Sequence, residues 1–276
     1  MIAAVVILTL PPILVVGLLW WIYHNQARLL FAPRKKREPI AEPLGKEGQI
    51  FFIPSTEGIR LEAWYFPPPS EKDPVFLFCH GNTGNLTWYQ KTIEHLRALG
   101  AGILVFDYRG YGNSTGQPSE EGLAQDATAA WQWLTGPGKI DPQRVILYGR
   151  SLGAAVVARL SAGEGSAAGG VIMESGFSHL DAMREHLYPF FPGSLAHFTL
   201  DSRPWVGKRH CPLLLAHSTQ ETYIPFTQAK ELFARAREPK TLHRLRGSHA
   251  RGWQESWPEY QHVLRDFARH NALSDK

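Results

Sequence analysis

Cysteine is nearly absent from this chain: two residues, Cys79 and Cys211, in 276. That gives no disulfide framework, and each stands at the edge of an apolar, strand-like run, so both read as small buried hydrophobes. No spacing of histidine, cysteine or carboxylate matches a metal site, and no cofactor is expected. The glycines of His80-Gly81-Asn82-Thr83-Gly84-Asn85 are not followed by Gly-Lys-Ser/Thr, which excludes a nucleotide-binding P-loop. There is no internal repeat and no low-complexity tract. Charge is also missing from one long stretch, Ile2 to Tyr23. The net charge of +4 is local, because Arg34-Lys35-Lys36-Arg37 holds four basic residues together. A basic cluster beside an apolar segment points to an anionic membrane surface, and with no nucleic-acid motif present no nucleic-acid partner is expected.

The uncharged stretch is the first thing present. As a helix, Ile2–Tyr23 would be about 33 Å long, against a hydrocarbon core of ~30 Å. Trp20, Trp21 and Tyr23 cluster at its end like an interfacial belt, and Pro11-Pro12 should kink it. A cleaved signal peptide would carry a positive start and end in small residues. Here the start has no Lys or Arg and the end is Trp-Trp-Ile-Tyr. Residues 1–27 are therefore expected as a single transmembrane anchor, 28–47 as a basic, proline-containing linker and 48–276 as the folded body. Arg28 and the Arg34–Arg37 cluster bias that body toward the cytoplasm.

The body is 44% hydrophobic when counted with the rest of the chain, enough for a sizeable core. QIFFI (49–53) and RLEAWYF (60–66) read as paired strands across a short turn. VFLFC (75–79), GILVF (102–106), RVILY (144–148), GVIME (170–174), PLLLA (212–216) and TLHRL (241–245) read as further strands. Helical stretches fall at 86–99, 119–134, 152–162, 226–236 and 256–270. The alternation predicts an α/β fold: an eight-stranded, mostly parallel sheet with helices on both faces. One long gap, 175–210, is rich in aromatics and prolines. It reads either as a small lid over the sheet edge or as an extra helix on the core.

RVILY runs into Gly149-Arg150-Ser151-Leu152-Gly153 and then into a helix. That is G-x-S-x-G in strand–turn–helix context, which lifts a serine hydroxyl into the open. The Leu152 N–H starts the helix, where a developing negative charge is stabilised. A serine nucleophile needs a base. His249 follows the last strand and precedes the last helix. His243 lies inside that strand, His262 and His270 lie on the final helix, and His179, His186 and His197 lie in the 175–210 region. His249 is the expected base. The carboxylate that orients it is expected to be Glu221, in the loop after PLLLA, with Glu174 and Asp201 as competitors. The second oxyanion donor is expected in the loop after VFLFC, at the Asn82 N–H, with Thr83 as the alternative.

Together, HGNTGN, DYRGYGNSTGQPSEEGL, LYGRSLGAA, the ETYIP loop and GSHARGW resemble the α/β-hydrolase superfamily over roughly residues 48–270. The branch they resemble is the membrane-anchored serine hydrolases with one N-terminal span. The resemblance implies Ser151 as nucleophile, His249 as base and an acid at Glu221, where members usually have aspartate. It makes Asp107–Gly112 a structural loop near the site. The expected activity is hydrolysis of an ester, thioester or amide of a small or lipid-like acyl substrate at a membrane, through an acyl-enzyme. The alternatives are an aminopeptidase-like peptidase and a non-catalytic binding protein on the same fold.

Overall fold

The computed structural model describes residues 11–35 and 48–272. In chain order its strands are β1 (Ala32–Pro33), β2 (Gln49–Pro54), β3 (Arg60–Phe66), β4 (Val75–Cys79), β5 (Thr83–Gly84), β6 (Gly102–Phe106), β7 (Val145–Arg150), β8 (Gly170–Glu174), β9 (Leu213–Ser218) and β10 (Lys240–Leu245). Its α-helices are α1 (Pro12–Leu30), α2 (Gln90–Arg97), α3 (Glu120–Thr135), α4 (Leu152–Ser161), α5 (Leu180–Leu187), α6 (Arg203–Val206), α7 (Phe226–Arg235), α8 (Gly252–Glu255) and α9 (Glu259–Ala272).

The continuous apolar strands are buried on both faces, as parallel strands between helices must be. Along β4 the period of two divides the core. Val75, Leu77 and Cys79 join the cluster packed by α3 and α4. Phe76 and Phe78 join the opposite cluster, packed by Ile93 and Leu96 of α2 and by Tyr260 and Leu264 of α9. Ser119 opens α3 by accepting a hydrogen bond from the Gly122 N–H, with Glu120 and Glu121 in the first turn. The expected eight-stranded sheet is present, in the order β10-β9-β8-β7-β4-β6-β3-β2. Only the β2–β3 and β3–β6 pairings are antiparallel.

The strand order reverses at β4, which has β6 on one side and β7 on the other. Crevices at such a switch point, beyond the carboxyl ends of the strands, are where α/β sheets bind ligands. Cys79 pairs with Gly149 in the β4–β7 register, so the loops that begin at His80 and Ser151 leave the sheet side by side.

The N-terminus departs from expectation. Pro11 caps α1 and Pro12 stands in its first turn, where the missing N–H costs nothing. Pro11-Pro12 thus stands at the start of this helix, and the expected kink within Ile2–Tyr23 depends on residues 2–10, which lie outside the described residues. The last turns carry His24, Asn25, Gln26 and Arg28, and among the described residues no helix is long and apolar enough to cross a membrane. The expected anchor at 1–27 is covered only from residue 11, and residues 1–10 lie outside the described residues. Residues 28–35, which open the expected 28–47 linker, end α1, bury Phe31 and then pair as β1 with β5. The remainder, 36–47, lies outside the described residues.

Candidate active site

Ser151 sits between the end of β7 and the start of α4 with φ 54° and ψ −117°. A non-glycine residue there stores about 1–3 kcal/mol of backbone strain, which the surroundings must hold. They do so through two glycines. A Cβ on Gly149 would overlap the Gly153 carbonyl, and one on Gly153 would overlap the Cys79 carbonyl. The Ser151 N–H donates to the Glu174 carbonyl at 2.9 Å, tying the turn to β8. At the end of β4, burial pushes the Cys79 thiol up to about 12, so it remains a protonated hydrophobe.

Two strands away the loop after β9 carries Glu221, and three strands away the loop after β10 carries His249. The structure brings both to Ser151. His249 Nε2 lies 3.1 Å from Ser151 Oγ, and His249 Nδ1 donates to Glu221 Oε1 at 2.5 Å. The Glu221 side chain is 0% exposed and that of His249 25%, so a buried anion backs an imidazole that reaches the open side. Oε1 also accepts the Ile224 N–H at 2.9 Å. Oε2 lies 3.6 Å from His217 Nε2, which itself donates to the Ile224 carbonyl at 2.8 Å. Burial holds the His217 imidazole below its usual range, outweighing the pull of Glu221 and the Ile224 carbonyl. His217 is thus a neutral prop behind the carboxylate.

Glu174 is occupied elsewhere. The Tyr148 hydroxyl donates to its Oε2, and Arg150 Nε lies 3.2 Å from its Oε1. Asp201 binds Arg203 through both carboxylate oxygens. His243 stacks on the Tyr260 ring, away from the serine.

On the β4 side, Asn82 and Leu152 line the same cavity as Ser151. Leu152 is the first residue of α4, so its N–H has no acceptor within the helix. Thr83, the alternative, is not among the residues lining that cavity, and its carbonyl accepts from the Tyr89 hydroxyl at 3.0 Å. The buried His80 donates from Nδ1 to the Gly81 carbonyl at 2.8 Å and presents Nε2 to Asp107 at 3.3 Å. Asp107 Oδ1 receives the Leu86 N–H, and Arg109 pairs with Asp126, so the Asp107–Gly112 loop braces this wall.

The cavity holds about 420 Å³. The 177–198 part of the expected lid region forms one wall, with Leu180, Met183 and Phe198 among its residues. A second wall comes from α1, including Leu18, Ile22 and Leu29. Sequence reasoning missed the α1 wall, because an apolar helix facing lipid and one facing protein share the same composition. It also missed Tyr223, whose ring packs 5.2 Å from the His249 ring, and Arg150, whose Nη2 donates to the Ala250 carbonyl beside His249. For Tyr223 the available signal was its place two residues after Glu221. Chemically, the arrangement can deprotonate a hydroxyl next to an apolar pocket.

An uncharacterized protein of Mycobacterium tuberculosis is 36% identical over 81% of this chain and 80% of its own length. The lysophosphatidylserine lipase ABHD12 of Danio rerio is 29% identical over 79% of this chain and 69% of its own. In fold, the esterase Pf2001 of Pyrococcus furiosus superposes with a TM-score of 0.74 at 20% identity, over 86% of this chain and 96% of the esterase. Residues 74–261 match the alpha/beta hydrolase fold family. Since that match runs from β4 to the first turn of α9, the chain belongs to the α/β-hydrolase family.

Proposed function

We propose that the chain is a serine hydrolase that cleaves an ester, thioester or amide of an amphiphilic acyl substrate through an acyl-enzyme. The observation that carries this reading is the unbroken relay Glu221–His249–Ser151, with contacts of 2.5 and 3.1 Å, at the edge of an apolar cavity. Ser151 Oγ attacks the carbonyl carbon as its proton passes to His249 Nε2. The carbonyl π electrons move onto oxygen, where the N–H groups of Leu152 and Asn82 receive the charge. The bond to the leaving group breaks as His249 returns the proton to it. Water then attacks the acyl-enzyme, gives its proton to His249, and Ser151 recovers that proton as the acid departs. Glu221 keeps the imidazole in the Nδ1–H tautomer and offsets its transient positive charge.

The apolar cavity supports an acyl chain as the bound group, as does the likeness to a lysophosphatidylserine lipase. A membrane as the source of substrate is supported by exposed Ile13, Leu14, Val16 and Trp20 on α1. The uncharged stretch before His24 and the basic residues after it support holding the body on the cytoplasmic side. The test is labelling with a fluorophosphonate probe and turnover of an ester panel. Wild type should label, Ser151→Ala should not, and turnover should rise with acyl length and with added lipid. Labelling that survives in Ser151→Ala would end the reading, and a preference for short peptides would favour a peptidase.

A further inference from the structure

The chain between α1 and the undescribed stretch is bonded to the loop that carries the proposed oxyanion donor. Residues 30–34 form a strap, the last residue of α1 followed by an extended segment from Phe31 on. The Leu30 carbonyl accepts from Asn82 Nδ2 at 2.9 Å. The Ala32 N–H donates to the Asn82 carbonyl at 3.0 Å, and the Arg34 N–H to the Gly84 carbonyl at 2.9 Å. The Arg34 carbonyl accepts from Asn85 Nδ2 at 2.8 Å. Phe31, fully buried, packs edge-on against Phe198 at 5.3 Å and locks the strap to the cavity wall. Gln26 makes a second tie, donating to the Leu195 carbonyl at 2.7 Å and accepting the His197 N–H at 2.8 Å.

The Asn82 N–H belongs to the Gly81–Asn82 peptide, whose carbonyl is bound by His80 Nδ1. The next peptide, Asn82–Thr83, has its carbonyl bound by the Ala32 N–H and by the Tyr111 hydroxyl at 2.8 Å. The Asn82 backbone is therefore held on both sides, and one of the holds comes from outside the body of the fold. Glycines at 81 and 84 give the loop little resistance of its own to peptide rotation. A donor aimed at a transition-state oxyanion must hold its direction within a narrow tolerance, because its contribution is realised only in that geometry.

We propose that the strap Leu30–Arg34 is a positioning element for the oxyanion site, so that docking of α1 and catalytic power are coupled. None of its residues touches the reacting atoms. They act through the Asn82 peptide. The inference rests on the serine-hydrolase reading and adds to it that the N-terminal segment is part of the catalytic apparatus.

The experiment uses the full chain carrying Ala32→Pro, which deletes the N–H that holds the Asn82 carbonyl. Phe31 is already extended, at φ −98° and ψ 110°, as a residue before proline requires. Ala32→Ser, which keeps the N–H, is the conservative rescue. Turnover of a short-chain ester should fall about 10- to 100-fold in kcat for Ala32→Pro, part of the loss expected for an absent donor, with KM within about twofold. Inhibition by a trifluoromethyl ketone, which forms a tetrahedral adduct on Ser151, should weaken by the same factor. Ala32→Ser should match wild type in both. A wild-type kcat in Ala32→Pro, a loss confined to KM, or an equal loss in Ala32→Ser would overturn the proposal. If Ala32→Pro does not fold, Asn82→Ala, which cuts the tie to Leu30 and keeps the backbone N–H, decides by the same pair of measurements. Ser151→Ala runs alongside: turnover there would sink the hydrolase reading itself, whereas inactive Ser151→Ala with fully active Ala32→Pro sinks only the strap.

Discussion

Replacing Glu221 by glutamine removes one charge and almost no volume. The carboxylate is wholly buried and 2.5 Å from His249 Nδ1. When Ser151 gives up its proton, the imidazole becomes a cation, and the buried anion offsets that charge where water screens weakly. An amide supplies no charge, and its N–H can select the imidazole tautomer that cannot accept from Ser151. The expected loss in kcat is ~10³- to 10⁴-fold, or about 4–5.5 kcal/mol of transition-state stabilisation. Glu174→Gln is the control. Its partners are Tyr148 and Arg150, not His249. It should cost about 1–3 kcal/mol of stability, from the disturbed buried network, while kcat of the folded enzyme stays within about tenfold. The assay is steady-state hydrolysis of a short ester, with thermal melts to correct for folded fraction. If Glu174→Gln loses a thousandfold and Glu221→Gln keeps most of its activity, the assignment of the acid is refuted.

Three further outcomes are expected. Gly153→Ala should cost at least 1–3 kcal/mol or prevent folding, because the new Cβ meets the Cys79 and His80 carbonyls. Gly163→Ala, whose Cβ would meet nothing closer than 3.8 Å, should stay within about 0.5 kcal/mol, and denaturant titration separates the two. His217 is held neutral in the fold by burial, so below its unfolded pKa of about 6.5 the unfolded chain gains a proton that the folded one does not. Stability should therefore be full above that pH and fall as pH drops toward the depressed folded value. His217→Gln should flatten the slope, with the similarly lowered His243 leaving a residue of it. An unchanged slope between pH 5 and 7 would contradict the assignment. Ile22→Trp, on the α1 wall, should fill part of the cavity and lower the long-to-short acyl preference in kcat/KM by about tenfold or more. An unaltered preference would place the acyl chain elsewhere.

Much of the architecture was legible because one physical rule governs it. Apolar runs such as Val75–Cys79, with no polar alternation, have no stable place but the middle of a parallel sheet. The helix after Ser119 and the turn at Ser151 carried local signatures that do not depend on the rest of the fold. The loops holding Ser151, Glu221 and His249 fall at the ends of strands, so the sheet itself brings them to one edge. The N-terminus was not legible in the same way. Ala32–Pro33 is a two-residue pairing, too short for periodicity to report. Gln26, which ties α1 to residues 195–197, is a single polar residue with no motif around it. Glu221 is the expected acid because it lies in the loop after its strand, whereas Glu174 ends β8; in the structure Glu221 lies 2.5 Å from His249 Nδ1 and Glu174 is bound by Tyr148 and Arg150.

Phe31 carries a practical consequence. A worker seeking soluble protein would cut away the apolar N-terminus, and the proline-rich stretch after Arg37 invites that cut. Such a truncation would remove a ring that has no exposure to water and open a hole facing Phe198, at about 3–5 kcal/mol if it behaves like a Phe→Ala change. A shortened protein that is weak or inactive would then report a damaged interior and say little about whether lipid is needed for turnover.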